Sequence, residues 1–350
     1  MRDVAILSFA QLPNVKRTRL ADVEMVQRVI TEAQENSKVA RKDIGFWCSG
    51  SCDMLVGRPF SFVSALDAIG AWPPVSESHV EMDGAWALYE AWVRLLHGDV
   101  HTSLVYSFGE ASVGDLRNVL VTQFDPYYVA PLNPDSISVA ALQAQALIDA
   151  GRYSERDFSE VAVRSRRSAK DNDKALLRDS ADAETLLQEE PIVGPLRRHM
   201  CPPITDGAAA IVLATREYVE ANNLTPLAWI KGFDHRVDVH ELGARDLTDA
   251  PSARIAAKAA GLEDGPVEVA ELHAPFAHQE LILRDALGLG PDVQINPSGG
   301  ALAANSMMVA GLARIGEAAL AVSKGAKRAL AHATAGPALQ QNLICILEAK

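Results

Sequence analysis

The chain opens on RDVAILSFAQLP, an apolar run dense enough to predict a buried strand, and from Asp22 to Ser37 the apolar residues switch to helical spacing. A second apolar run, IGFWCSG, predicts the next strand. The stretch SHVEMDGAWALYEAW, residues 78 to 92, reads as a short strand, a tight Asp83-Gly84 corner and a helix rich in Ala and Trp that continues to His97. TSLVYSFGE follows as a third strand. This βα alternation predicts a parallel or mixed sheet covered by helices on both faces.

The C-terminal part repeats the plan. NPSGGALAANSMMVAGLARIGEAALAVSKGAKRALAHATAG predicts a glycine corner, one long helix of small residues, a basic turn and a strand. It matches VEMDGAWALYEAWVRLLHGDVHTSLVYSFGE in element order more than in identity, so two related halves are expected to share one core. Between them, residues 115 to about 200 form a long insertion. It holds FDPYYVAPLNPDS, the helical SVAALQAQALIDAG and the charged SRRSAKDNDKALLRDSADAETLL, and is expected to cap one face.

Composition narrows the function. A chain of 350 residues with 48% hydrophobic and 22% charged residues can bury a large core, which excludes a disordered chain. The net charge of -12 supplies no basic stripe, so neither nucleic acid nor an anionic membrane is expected as a partner. No basic segment leads into an apolar run at the N-terminus and no apolar stretch reaches the length of a span, so a cytoplasmic location is expected. Cys48, Cys52, Cys201 and Cys345 are expected to be reduced thiols. Cys48-Ser-Gly-Ser-Cys52 lacks a second pair, so no metal site is expected. No GxGxxG follows a strand, which removes the case for a dinucleotide.

Four stretches follow one another along the chain: CPPITDGAAAIVLAT, ELHAPFAHQELILRDALGLG, NPSGGALAANSMMVAGLARIGEAA and AHATAGPALQQNLICILE. In content and order they resemble the thiolase superfamily, in particular sterol-carrier-type thiolases and lipid-transfer proteins. The resemblance implies a thiolase-like α/β fold: two related βαβ-type halves in a layered α/β/α arrangement with an inserted capping region. The halves would comprise residues 1–114 with 200–227 and residues 228–350, around an insertion at 115–199. It also implies an acyl-CoA thioester as substrate, no other cofactor, and assembly as a homodimer or as a heteromer with a catalytic thiolase-like subunit. A small OB-fold protein is a further candidate partner.

The family's reaction needs a nucleophilic Cys at the first helix corner, and here the resemblance puts Glu81 in that place with Asp83 where a Ser belongs. Asn305-Ser306-Met307 stands where Gly-His-Pro would be, and Gly336-Pro337 stands where a second Cys or a tyrosine would be. His273 alone keeps a family-type catalytic position. The candidate catalytic residues are therefore His273, Glu81 and Asp83, with Gly299, Gly300, Asn305, Ser306, His332 and Thr334 as substrate-binding or pocket-lining residues. Each also has a plainer reading. Asp83 before Gly84 is a good N-cap, Glu81 a structural acid, and His273 or His332 a packed, hydrogen-bonded imidazole. Gly299 and Gly300 would serve an oxyanion hole or helix packing, Ser306 would be a helix residue, His278 a surface or interface residue, and Cys201 a buried thiol.

The expected function is a thiolase-superfamily subunit that handles acyl-CoA thioesters in lipid or steroid side-chain degradation, without Cys-dependent acyl transfer of its own, inside a complex. One alternative is a retro-aldol carbon-carbon lyase acting on a 3-hydroxyacyl-CoA. Such relatives lean on tyrosine hydroxyls, whereas the last tyrosine here is Tyr218. The other alternative is an acyl-CoA acyltransferase, a thiolase, against which the missing Cys stands.

Overall fold

The computed structural model describes residues 2–179 and 181–349. The strands are β1 (Val4–Gln11), β2 (Phe46–Gly50), β3 (Glu77–Val80), β4 (Thr102–Gly109), β5 (Gly207–Thr215), β6 (Ala228–Val237), β7 (Val269–Leu272), β8 (Gln294–Ile295), β9 (Arg328–Ala335) and β10 (Gln341–Glu348). Their order across the sheet is β3-β2-β4-β5-β1-β6-β10-β9-β7-β8. Read from its two edges inward, the sheet presents the same sequence of positions twice, each strand of the second half being the counterpart of the one five earlier. The outer strands of each half run parallel and the inner ones antiparallel. The two related halves expected from the element order are thus built into one mixed sheet.

The longer helices are α1 (Asp22–Ser37), α2 (Gly84–His97), α3 (Ser136–Asp149), α4 (Glu155–Ser168), α5 (Pro251–Ala259), α6 (Ala277–Ala286) and α7 (Ala310–Ser323). α2 leaves β3 and leads to β4; α7 leaves β8 by way of a short helix and leads to β9. One hydrophobic cluster joins Ala85, Leu88 and Leu95 of α2 and Leu312, Ile315 and Val322 of α7 to strands of both halves. A second lies under α1 on the outer face of the first half, and a third gathers α3 and α4 of the insertion with α5 and α6 on the second half. The insertion is therefore packed into the core of the C-terminal half through Ala140, Ala144, Leu147, Phe158 and Ala162.

Close approach of α2 and α7 requires glycine. A Cβ on Gly84 would stand 2.6 Å from Ser107 Cβ and 2.9 Å from Leu312 Cδ2. One expectation fails here: the stretch after NPSGG is not one long helix. It is a four-residue helix, Gly300–Ala303, then an extended Ala304 and a left-handed Met308 (φ 72°), and only then α7. The physical reason is tertiary. Ser306 forms a parallel bridge with Thr205, which holds the chain extended between the two helices and places Ser306 outside any helix.

Candidate functional site

The Asp83-Gly84 corner begins α2 as expected, because the Asp83 carboxylate accepts the Ala85 N–H at 2.9 Å. It also reaches α7. Oδ2 accepts the Gly311 N–H at 2.9 Å and Oδ1 the Leu312 N–H at 3.0 Å, so one buried carboxylate closes the N-termini of both central helices. Burial pushes the carboxyl above its usual range, opposed by these three N–H donors and by Arg314. The N–H groups at the positive helix ends, which could stabilise an anionic intermediate, are already taken up by the Asp83 side chain.

Glu81, two residues earlier, turns outward. Its side chain is 50% exposed, Oε1 accepts the Asp53 N–H at 2.7 Å, and Oε2 lies 3.1 Å from His79 Nε2. On its other nitrogen, His79 meets the hydroxyl of Ser49 at 3.0 Å, and Phe62 stacks on its ring. Ser49 is buried, so this Ser-His-Glu chain exposes its carboxylate end and not its hydroxyl.

His273 follows β7 at a strand-to-helix corner, where ligands bind in such sheets. Its Nδ1 accepts the Thr334 N–H at 3.4 Å and its Nε2 lies 3.2 Å from Asn305 Oδ1, a pattern that assigns the proton to Nε2. Burial pulls its pKa down to about 4, so the imidazole is neutral near pH 7. Four of the expected residues meet here, since His332 lies opposite Leu272 in the parallel register and its carbonyl accepts the His273 N–H. His332 itself is turned into the core, with Nε2 2.8 Å from Asn342 Oδ1, and burial holds it down at about 3.

Ser306 does not join them. Its hydroxyl donates to Asn14 Oδ1 at 2.7 Å and lies 3.0 Å from Thr205 Oγ1 in a buried polar knot. Gly299 and Gly300 have positive φ, and added Cβ atoms would meet Ala169 at 2.5 Å and the Asn296 side chain at 2.8 Å, so both serve close packing. His278 is not on the surface as expected. It is fully buried at Gln143 Oε1 (3.2 Å), because α3 of the insertion covers α6. Among the four thiols, Cys48, Cys201 and Cys345 are buried, which pushes Cys48 up to about 12 and Cys201 to about 11. Cys52 is half-buried with its pKa also raised by desolvation. None has the lowered pKa of a nucleophilic thiolate.

Sequence reasoning missed His79 and the buried pair Glu271–Arg314 (2.7 Å), whose carboxylate also takes the Ser298 N–H and hydroxyl. The signals were present: an acid inside VEVAEL and an arginine in a helix of small residues have to be paired if buried.

No family model matches the chain. It is 26% identical over 349 residues to an acetyl-CoA acetyltransferase of Methanocaldococcus jannaschii, covering 91% of this chain and 89% of that one. It is 28% identical over 220 residues to sterol carrier protein 2 of Bos taurus, covering 50% of this chain and 39% of that protein. Among solved structures, the Bacillus anthracis acetyl-CoA acetyltransferase superposes with a TM-score of 0.82 at 18% identity, over 100% of this chain and 99% of that one. Human mitochondrial 3-ketoacyl-CoA thiolase gives 0.79 at 17% identity, with 100% and 99% covered. The chain has the fold of these thiolases, and the likenesses support a place in the thiolase superfamily.

Proposed function

We propose that this thiolase-fold chain handles acyl-CoA thioesters without forming a cysteine thioester of its own, as one subunit of a complex that degrades lipid or steroid side chains. The observation that carries the reading is the corner between α2 and α7. A carboxylate bonded to three backbone N–H groups occupies the helix N-termini, and the thiols elsewhere are kept protonated by burial. A thiolase needs a thiolate that attacks the acyl carbon and a donor set free to hold the resulting oxyanion. Neither group is available at this corner. The likeness to acetyl-CoA acetyltransferases over most of the chain supports acyl-CoA as the ligand class, and the partial likeness to sterol carrier protein 2 supports a lipid acyl group. A partner with its own nucleophile, either a thiolase-like subunit or an assembly that includes a small OB-fold protein, would supply acyl transfer in the cytoplasm.

A retro-aldol lyase on a 3-hydroxyacyl-CoA is the second reading, favoured by one observation. His273 is a neutral imidazole at the strand-to-helix corner, and its one lone pair, on Nδ1, would serve as the base once it let go of the Thr334 N–H that it accepts at 3.4 Å. The test is intact-mass analysis after incubation with acetoacetyl-CoA or a longer 3-ketoacyl-CoA. The expected result is an unchanged mass and no thiolysis. A stable acyl adduct mapping to any of the four cysteines would overturn the proposal. Cleavage of a 3-hydroxyacyl-CoA without an adduct, abolished in His273→Ala, would establish the lyase instead.

A further inference from the structure

The hairpin between β9 and β10 turns through residues 336–340, and two of them, Ala338 (φ 52°) and Leu339 (φ 60°), take positive φ without being glycine. A Cβ makes that conformation costly, so it persists only where surrounding contacts impose it. Arg245 imposes it here. Its Nη2 donates to the Pro337 carbonyl at 3.0 Å and its Nη1 to that of Ala338 at 3.3 Å, and both hydrogen bonds that the guanidinium makes among the described residues go to this turn. On the far side Asn342 Nδ2 donates to the Leu339 carbonyl at 2.8 Å, and the Leu339 side chain is buried. The turn is thus clasped at Pro337 and Ala338 and anchored at Leu339.

The turn also has room to move. A cavity of about 130 Å³ lies against it, with Ala338, Leu339, Arg245, Asp238 and Pro251 in its lining. Close packing, which would lock a strained loop in place, is missing on that side. At the near end of the same segment, β9 presents the Thr334 N–H to His273 Nδ1 at 3.4 Å, beyond the usual range of about 2.7–3.2 Å. Thr334 Oγ1 donates to the Gln341 carbonyl at 2.9 Å, so the residue that covers the imidazole is bonded across the hairpin to the first residue of β10. Opening the turn from the Arg245 side frays these last rungs and withdraws the Thr334 N–H from the imidazole.

We propose that the β9–β10 turn is a latch: closed, it keeps the one lone pair of His273 covered by the Thr334 N–H, and released from Arg245 it swings toward the cavity and uncovers that lone pair. Positive φ at Ala338 and Leu339 favours release and the Arg245 clasp opposes it, which brings two arrangements of one element close in free energy. A substrate that brings a proton within reach of Nδ1 would bind the open arrangement better and shift the population toward it. As a brake on a base, the latch rests on the lyase reading of His273. Its opening is measurable without any substrate.

The test is amide hydrogen exchange on the whole purified chain, followed residue by residue by NMR. Local opening frees Thr334 without unfolding the sheet, so its amide should exchange about tenfold or more faster than those of Leu330, in the same strand, and Ile344, in β10. Arg245→Met should speed Thr334 exchange by about a further tenfold and leave Leu330 and Ile344 unchanged. Ala338→Gly, which accepts the positive φ freely, should slow it. Diethyl pyrocarbonate, which acylates an uncovered imidazole nitrogen, should modify His273 faster in Arg245→Met by the same factor as the exchange. Exchange of Thr334 only together with Leu330 and Ile344, or equal acceleration of all three in Arg245→Met, would overturn the latch. If Arg245→Met does not fold, Ala338→Gly decides, and unchanged or faster Thr334 exchange in that variant overturns it. Absence of 3-hydroxyacyl-CoA cleavage counts against the base and not against the latch, which the exchange rates decide by themselves.

Discussion

Asp83 offers a sharp test of the corner, because a simple N-cap and a clamp on two helices predict different losses. Removing an ordinary cap costs about 1 kcal/mol, and Asn replaces Asp at such a position almost without loss. Here Oδ1 accepts from Ala85 and Leu312 and Oδ2 from Gly311, all buried. Asp83→Ala would strip three donors at once. Besides the cap itself, two buried N–H groups at about 1–3 kcal/mol each put the loss near 4 kcal/mol, a large share of the roughly 5–15 kcal/mol that holds a domain folded. Asp83→Asn keeps Oδ1 for two donors but turns an amide N–H₂ toward the Gly311 N–H, so it should cost about 1–3 kcal/mol, less any relief from removing a buried charge. The assay is urea unfolding followed by far-UV circular dichroism. Asp135→Ala is the control, since Asp135 caps α3 through Ser138 alone and should lose about 1 kcal/mol. If Asp83→Asn is neutral and Asp83→Ala no worse than the control, the carboxylate does not clamp α7 and the account of the missing oxyanion site fails with it.

Acid should destabilise the fold through its buried histidines. His273, His278 and His332 have pKa values of about 4, 3 and 3 when folded and take the ordinary value of about 6.5 when unfolded, so unfolding binds protons as pH falls below that value. Stability is full above pH ~7 and should fall by up to about 4 kcal/mol per pH unit near pH 5 from these groups together; His278→Gln should reduce that slope by about a third in urea midpoints, and an unchanged slope would refute it. In native protein a thiol reagent should label Cys52 alone, and early labelling of Cys201 would contradict its burial. If residues 1–114 with 200–227 and residues 228–350 act as halves of one core, limited proteolysis should cut first between residues 165 and 188. A stable piece ending near residue 115 would refute that arrangement.

Periodicity made much of the fold legible. β1, β2, β4, α1 and α2 fall within or close to the expected stretches because their apolar spacing alone selects strand or helix. AANSMM misled because nothing in it breaks a helix locally; the break comes from Thr205, a residue just beyond the insertion and about a hundred positions earlier. Likewise His278 is buried by Gln143, 135 residues away, and the second duty of Asp83 lies 228 residues along the chain. Contacts at such separations leave no local pattern to read. What sequence does carry is the anomaly: Glu271 in an apolar strand, Arg314 in a helix of small residues, and Gln11 at the end of the first strand each demand a partner. Two of the three find one another in the fold, while Gln11 is left with its side-chain oxygen unsatisfied. Which of them is satisfied is settled by contacts far apart in the chain, whereas the demand itself follows from the rule that buried polar groups must be bonded.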